Sequence, residues 1–446
     1  MTSSSFLQAR ILLKELKPPP HASKFRGITD LTRLQRLSTW KDSLSQNLET
    51  LVAFLEKQTL SSDNKAEVAA TVLPLLPSGF QNDLELDNKA PVLATIRSLD
   101  WISHPSKDVV NRVLTDHLRP IFKSNPHPHL HAETARKLSR PAGGQMAMQD
   151  YYENQGWKHH PGISNVVLWC LQVTETDAFD QVWHLLIPPV MAFVDDYEVK
   201  AKLQGVILVQ EMLLHMPKSL LRRTGIDVLL RQSLRTALSQ LEGPDSPALV
   251  ELAIKALVDL ILLTTSPGST DRFGQLSSLL GEGVISGIWL YCEDKPSIVN
   301  ATFNALPYLI LTLGIGTVRF LQAIVPQLAF ALIPNPFSNQ NLDIQLSALK
   351  VIESLLDTCA PRIPAWKETI LDAVGRCWAG IQDDVNRTNH QDLPLLEVKL
   401  RSLCEKLAKV CPSVLQEEYP AFIAADERLF QSLLPDILSP KADEQN

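Results

Sequence analysis

Paired cysteines are missing from this chain: Cys170, Cys292, Cys359, Cys377, Cys404 and Cys411 are scattered through 446 residues with no C-x-x-C spacing. That pattern excludes a disulfide framework and fits reduced thiols of the cytosol or nucleus. A surplus of positive charge is missing too, since 42 Lys plus Arg face 49 Asp plus Glu and the largest basic pair is Arg222-Arg223. A formal charge of −7 offers no electrostatic footprint for nucleic acid. The first residues lack a basic stretch followed by a sustained apolar run, because Lys14, Glu15 and Lys17 interrupt it, so no secretory signal is expected. With 45% hydrophobic and 20% charged residues, wholesale disorder is excluded.

Catalytic signatures are equally sparse. No H-E-x-x-H, G-x-S-x-G or P-loop occurs. Asp195-Asp196-Tyr197-Glu198-Val199 has the start of an aspartate-rich magnesium motif, but position 199 is Val where a third carboxylate is required, and around Asp383-Asp384-Val385 the needed downstream ligands are Arg387 and Gln391. His127, His129 and His131 alternate without a nearby Cys or a second cluster, which reads as a proline-constrained polar loop, and His159-His160 read the same way. Gly281-Glu282-Gly283 and Gly314-Ile315-Gly316 lack the rest of a dinucleotide fingerprint and read as turns. No enzyme activity, cofactor or metal is expected.

What the chain has in abundance is helical periodicity. From about Trp183 a first helix leads through a short polar turn into a second helix that is apolar almost all round. The clearest pair is 183–194, the turn Asp195-Asp196-Tyr197, then 199–216. Further second helices are predicted over 248–265, 297–313, 342–359 and 394–411, their ends spaced by 49, 48, 46 and 52 residues. That period predicts an all-α fold, an α-solenoid of HEAT/armadillo-like helical hairpins. Such a helix must be covered on two sides, so each pair needs neighbours of its own kind. The stretches 296–318 and 320–342 contain no Asp, Glu, Lys or Arg, and a membrane hairpin has to be weighed. Asn300, Asn304, Pro307, Pro326 and Pro334 within them favour buried solenoid helices, and no membrane partner is expected.

The expected organisation is degenerate helical repeats over 1–123, with helices near 38–58, 66–76, 92–102 and 109–122. A flexible loop rich in Pro, His and Gly follows over 124–156, then a repeat arm over 157–439 and a polar tail over 440–446. Pro18-Pro19-Pro20, 61–65 and 382–391 read as smaller flexible spots.

The run from Trp183 through Leu185-Leu186-Ile187-Pro188-Pro189, Asp195-Asp196-Tyr197 and Lys200 to Gly205, preceded by Trp157-Lys158 and Val167-Leu168-Trp169-Cys170, resembles the family of the second Tel-two-interacting proteins. The likeness covers 157–241 by residues and the later repeats by architecture. It implies a non-enzymatic subunit of the three-membered TTT co-chaperone complex. The implied partners are the first Tel-two-interacting protein and the Tel-two protein. Kinases related to phosphatidylinositol 3-kinase would be matured indirectly, together with the ninety-kilodalton heat-shock chaperone. The residues carried over are Trp183, Pro188, Pro189, Asp195, Asp196, Lys200 and Gly205. Each also has a purely architectural reading. Trp183 would be core and Pro188-Pro189 a helix kink, while Asp195 and Asp196 would act as helix N-caps. Lys200 would be an i,i+4 partner of Asp196, and Gly205 a close helix contact. A karyopherin-like transport adaptor is the rival, since it too is a helical-repeat solenoid.

Overall fold

Apolar residues recurring every three to four positions dictate helices that must find cover on more than one side. The computed structural model describes residues 5–19, 31–76, 94–144, 146–153, 155–292, 294–334, 342–383 and 393–434. Its fold is all-α and solenoid-like; among the described residues the β structure is a single antiparallel bridge, Leu130 to Lys137. Contacts divide the chain into two compact units, Met1–Ser233 and Leu234–Asn446, so the 124–156 segment lies inside the first.

In the first unit α1 (Ser5–Leu16) packs on α2 (Leu31–Leu55) and α3 (Ser62–Val72). The periodicity reading did not include α1, whose Phe6, Ala9, Leu13 and Leu16 are buried. Residues 61–65, expected to be flexible, instead start a helix: the Ser61 hydroxyl accepts from the Asn64 amide at 3.3 Å and caps α3. Helix α4 (Lys107–Arg112) runs through a π-helical stretch, Val113–Leu118, into Arg119–Lys123. Then follow α5 (Ile163–Val173), α6 (Phe179–Val194), α7 (Val199–His215) and α8 (Lys218–Thr224), with α7 packed against both α5 and α6.

The second unit shows why the apolar helices repeat. Helices α9 (Ser246–Thr264), α11 (Pro296–Leu313), α13 (Leu342–Thr358) and α15 (Leu393–Val410) stack each on the next. Between and after them lie α10 (Thr270–Ser278), α12 (Leu321–Leu332), α14 (Lys367–Asp383) and α16 (Glu418–Ala425), followed by the short helix Glu427–Phe430, and α12 lies against α13 and α14. Gly281-Glu282-Gly283, read as a turn, lies within a π-helical extension of α10. The run Pro296–Leu332 is long and apolar enough to cross a bilayer by length and composition. In the fold it supplies the middle of the stack, burying Phe303, Leu306, Ile310, Ile324 and Leu328. Arg272 closes α9 by donating to the Leu262 carbonyl at 2.8 Å and the Thr265 carbonyl at 2.6 Å, which satisfies carbonyls that the helix end leaves free. Residues 384–391, Pro20 and the tail from Pro440 lie outside the described residues.

All six cysteines are buried as free thiols. Burial pushes Cys377 up to about 12, and Cys404 likewise to about 12, its bond with Tyr419 pulling weakly the other way. In the unfolded chain these thiols ionise near ~8.5. Between those values the unfolded state has lost protons that the folded state keeps, so stability falls as pH rises, by up to about 1.4 kcal/mol per pH unit for each group. Urea denaturation in reducing buffer should therefore show a loss of stability from about pH 9 upward. The loss should be weaker in a Cys377→Ala/Cys404→Ala variant; an unchanged alkaline slope there would assign it to other groups.

Candidate interaction site at the turn between α6 and α7

Helix α6 is unusual in carrying Pro188 and Pro189 in its interior, each removing one backbone donor from the ladder. They line a small cavity of about 170 Å³ with His127, Leu130, His184 and Leu185. Trp183, one turn earlier, is buried as expected for core, but its indole nitrogen has no hydrogen-bond partner among the described residues.

The turn after α6 holds two carboxylates that point to different partners. Asp195 meets His127 Nε2 at 2.9 Å. His127 Nδ1 accepts from the His129 amide at 3.2 Å, so the imidazole proton on Nε2 donates to Asp195. Asp196 is fully buried; its Oδ1 accepts from the Glu198 amide at 2.8 Å and its Oδ2 lies 2.9 Å from Lys158 Nζ. Lys158 also reaches Glu198 at 2.8 Å and sits 4.4 Å from the Tyr197 ring centroid. Burial pushes the Asp196 carboxyl above its usual range, opposed by the Glu198 amide and Lys158. Burial pulls the Lys158 ammonium down, but the bonds to Glu198 and Asp196 outweigh it and the net shift is upward.

The N-cap reading of the acidic pair therefore gives way to a tertiary one. Helix α7 starts at Val199 rather than near Tyr197, and Glu198 stands at its N-cap without a side-chain bond to the helix amides. Asp196 binds the amide two residues on, which is a local Asx-type turn before the helix, and its cation is Lys158 from 38 positions earlier. Lys200, expected opposite Asp196, is half-buried on the first turn of α7. Lys202 is buried and donates to the Val194 carbonyl at 2.8 Å, tying α7 to the end of α6, and burial lowers its pKa.

At Gly205 the two helices approach too closely for a side chain. A Cβ there would stand 2.2 Å from Val194 N and 2.4 Å from Val194 Cα, so only hydrogen fits.

The segment read as a flexible loop is anchored to this turn by the His127–Asp195 bond, and further bonds hold it to itself and to the end of α8. His131 donates its amide to the Arg136 carbonyl at 2.8 Å, and Lys137 donates to the Thr224 carbonyl at 2.9 Å. Tyr151 is buried, with its ring 4.9 Å from that of His127. Rings continue outward through Tyr152 to Tyr197, at 5.7 and 6.3 Å, and a separate pair, Trp157 and Phe193, packs at 4.3 Å.

Thus the structure brings Asp195, Asp196 and Gly205 together at one crossing, with Lys200 beside it and Pro188-Pro189 on a separate cavity. His127, Lys158, Tyr151 and Lys202 were not singled out as site residues from the sequence. Lys158 had one available signal, its place beside Trp157 in the motif. Among the described residues no group of three His, Cys, Asp or Glu could hold a metal ion.

Residues 86–340 match the Tti2 family, a stretch that contains the whole crossing. The chain belongs to the Tti2 family. Curated relatives include TELO2-interacting protein 2 of Homo sapiens, 22% identical over 302 residues, covering 67% of this chain and 58% of the relative. The mouse protein of that name is 23% identical over 290 residues, covering 64% and 55%, and the rat protein 21% over 276, covering 61% and 53%. The matched stretch thus spans a little over half the length of these relatives. No solved structure matches the chain.

Proposed function

We propose that this chain is a non-enzymatic scaffold subunit of the TTT co-chaperone complex. It would bind the first Tel-two-interacting protein and, with the Tel-two protein, support the maturation, stability and assembly of phosphatidylinositol 3-kinase-related kinases by the ninety-kilodalton heat-shock chaperone. The observation that carries this reading is the family match over residues 86–340, joined to a helical stack suited to long docking faces. Its place of work would be the cytoplasm and the nucleus, its contact with kinases indirect, and neither nucleic acid nor membrane a partner.

In this reading the motif residues act mainly by shaping the crossing, since Trp183, Pro189 and Asp196 are buried, while Lys200 and Pro188 remain accessible enough to touch a partner. Co-expression with the first Tel-two-interacting protein, followed by size-exclusion chromatography with light scattering, is expected to give a stoichiometric complex. A folded chain that elutes alone, and that instead binds the triphosphate form of a small guanosine-nucleotide switch protein, would overturn it in favour of the transport adaptor.

A further inference from the structure

A groove of about 670 Å³ opens beside the crossing, lined by Gln149, Tyr152, Glu153, Lys158, Tyr197 and Glu198 among others. We propose that it receives an arginine-bearing segment of a partner protein. Three observations converge on a guanidinium.

Tyr197 is 61% exposed although its ring is held in place, edge-on to Tyr152 at 87° and with the Lys158 ammonium on it. A large, positioned aromatic surface left open to solvent is the composition of an interface anchor, and tyrosine is enriched at such anchors. The ring already carries one cation from its own chain, the Lys158 ammonium 4.4 Å from its centroid, so its electron-rich face takes a positive charge at this position.

The charge of the lining is negative where it can still be reached. Lys158, its one Lys or Arg side chain, is 20% exposed and doubly engaged by Asp196 and Glu198. Glu198 is half exposed, and Glu153 is exposed with its Oε1 accepting from Gln149 Nε2 at 2.9 Å, which orients that carboxylate. An acidic segment would meet two carboxylates and a cation that is already paired. A basic one would meet aromatic faces and oriented acceptors. Arginine fits better than lysine because its planar guanidinium stacks on tyrosine while its edge donates to carboxylates, and because it sheds water more readily.

This inference does not depend on membership in the complex, and its test uses the full chain alone. Fluorescein-labelled peptides alternating glycine with four arginines, four lysines or four glutamates are titrated at low salt and read by fluorescence anisotropy. The arginine peptide is expected to bind about twofold to fivefold more tightly than the lysine peptide at equal charge, the margin of an exposed cation–aromatic contact. Tyr197→Ala should erase that margin. Glu153→Lys should weaken both basic peptides, whereas Glu56→Lys, a charge reversal at the exposed C-terminal end of α2 in the same unit, should not. Thermal melts check that each variant is folded. Equal binding of the arginine and lysine peptides, preference for the glutamate peptide, or equal losses from Glu153→Lys and Glu56→Lys would overturn the proposal.

Discussion

Replacing Gly205 with alanine is expected to lower the stability of the first unit by about 2 kcal/mol or more, even though alanine is the better helix former by roughly 1 kcal/mol. The reason is what the added methyl meets: backbone atoms of Val194 and Phe193 at 2.2 to 2.5 Å, which have no rotamer to escape into. Helix α7 would have to move off α6 and loosen the Lys202 bond to the Val194 carbonyl with it. At ~2–4 °C per kcal/mol for a unit of this size, the thermal midpoint should drop by roughly 4–8 °C. Gly274 provides the matched control, because it too lies in a helix, α10, but a Cβ there meets nothing within 4 Å. Alanine at 274 should stabilise slightly. If the two substitutions behave alike, the close crossing at Gly205 is wrong.

Lys158→Ala is the second large effect. It strands a fully buried carboxylate, and breaking a buried pair by removing one partner costs on the order of 3 kcal/mol. The deficit should depend on pH with a defined sign. The Asp196 carboxyl is already raised in the folded protein, and without the ammonium it rises further. Between its unfolded and folded pKa values the folded state then binds more protons than the unfolded one, so the variant regains stability relative to wild type as pH falls from 7 toward about 5. Adding Asp196→Asn to Lys158→Ala should recover most of the loss and flatten the pH dependence. A deficit that stays constant over that pH range would show that the pair is not what Lys158 contributes. A helix N-cap would contribute only ~0.5–2 kcal/mol for each aspartate and leave no role for Lys158, so the same experiment separates the two accounts.

The contrast shows what the sequence made legible. The second helices were readable to within two residues: 248–265 is Ser246–Thr264, 342–359 is Leu342–Thr358 and 394–411 is Leu393–Val410. Their apolar residues surround the whole helix, and polar or proline-bearing turns stop them cleanly. Gly205 as a close contact was legible for a related reason, since a glycine inside a good helix demands a local cause. Helix α1 was not, because Lys14, Glu15 and Lys17 at its end read as interruptions, whereas its buried stripe is Phe6, Ala9, Leu13 and Leu16. Nor were the pairs at the crossing. Asp195 with His127 spans 68 positions and Asp196 with Lys158 spans 38, and local rules assign an acidic pair before a helix to the nearest amides. The His and Pro run hid a buried imidazole for the same reason: its partner comes from a turn 68 positions away.

The stack of α9, α11, α13 and α15 sets how damage spreads in the second unit. Each inner layer leans on two neighbours and each end layer on one, so the unit behaves as a short one-dimensional array in which opening starts at an end and travels inward. The far end is sealed by residues after α15, where Tyr419 is buried and donates to the Cys404 carbonyl at 2.7 Å and the Trp378 indole donates to the Leu429 carbonyl at 2.8 Å. A lesion in that seal would let α15 fray while α9 keeps its amide protection. Loss of an inner layer such as α11 would instead cut the array in two.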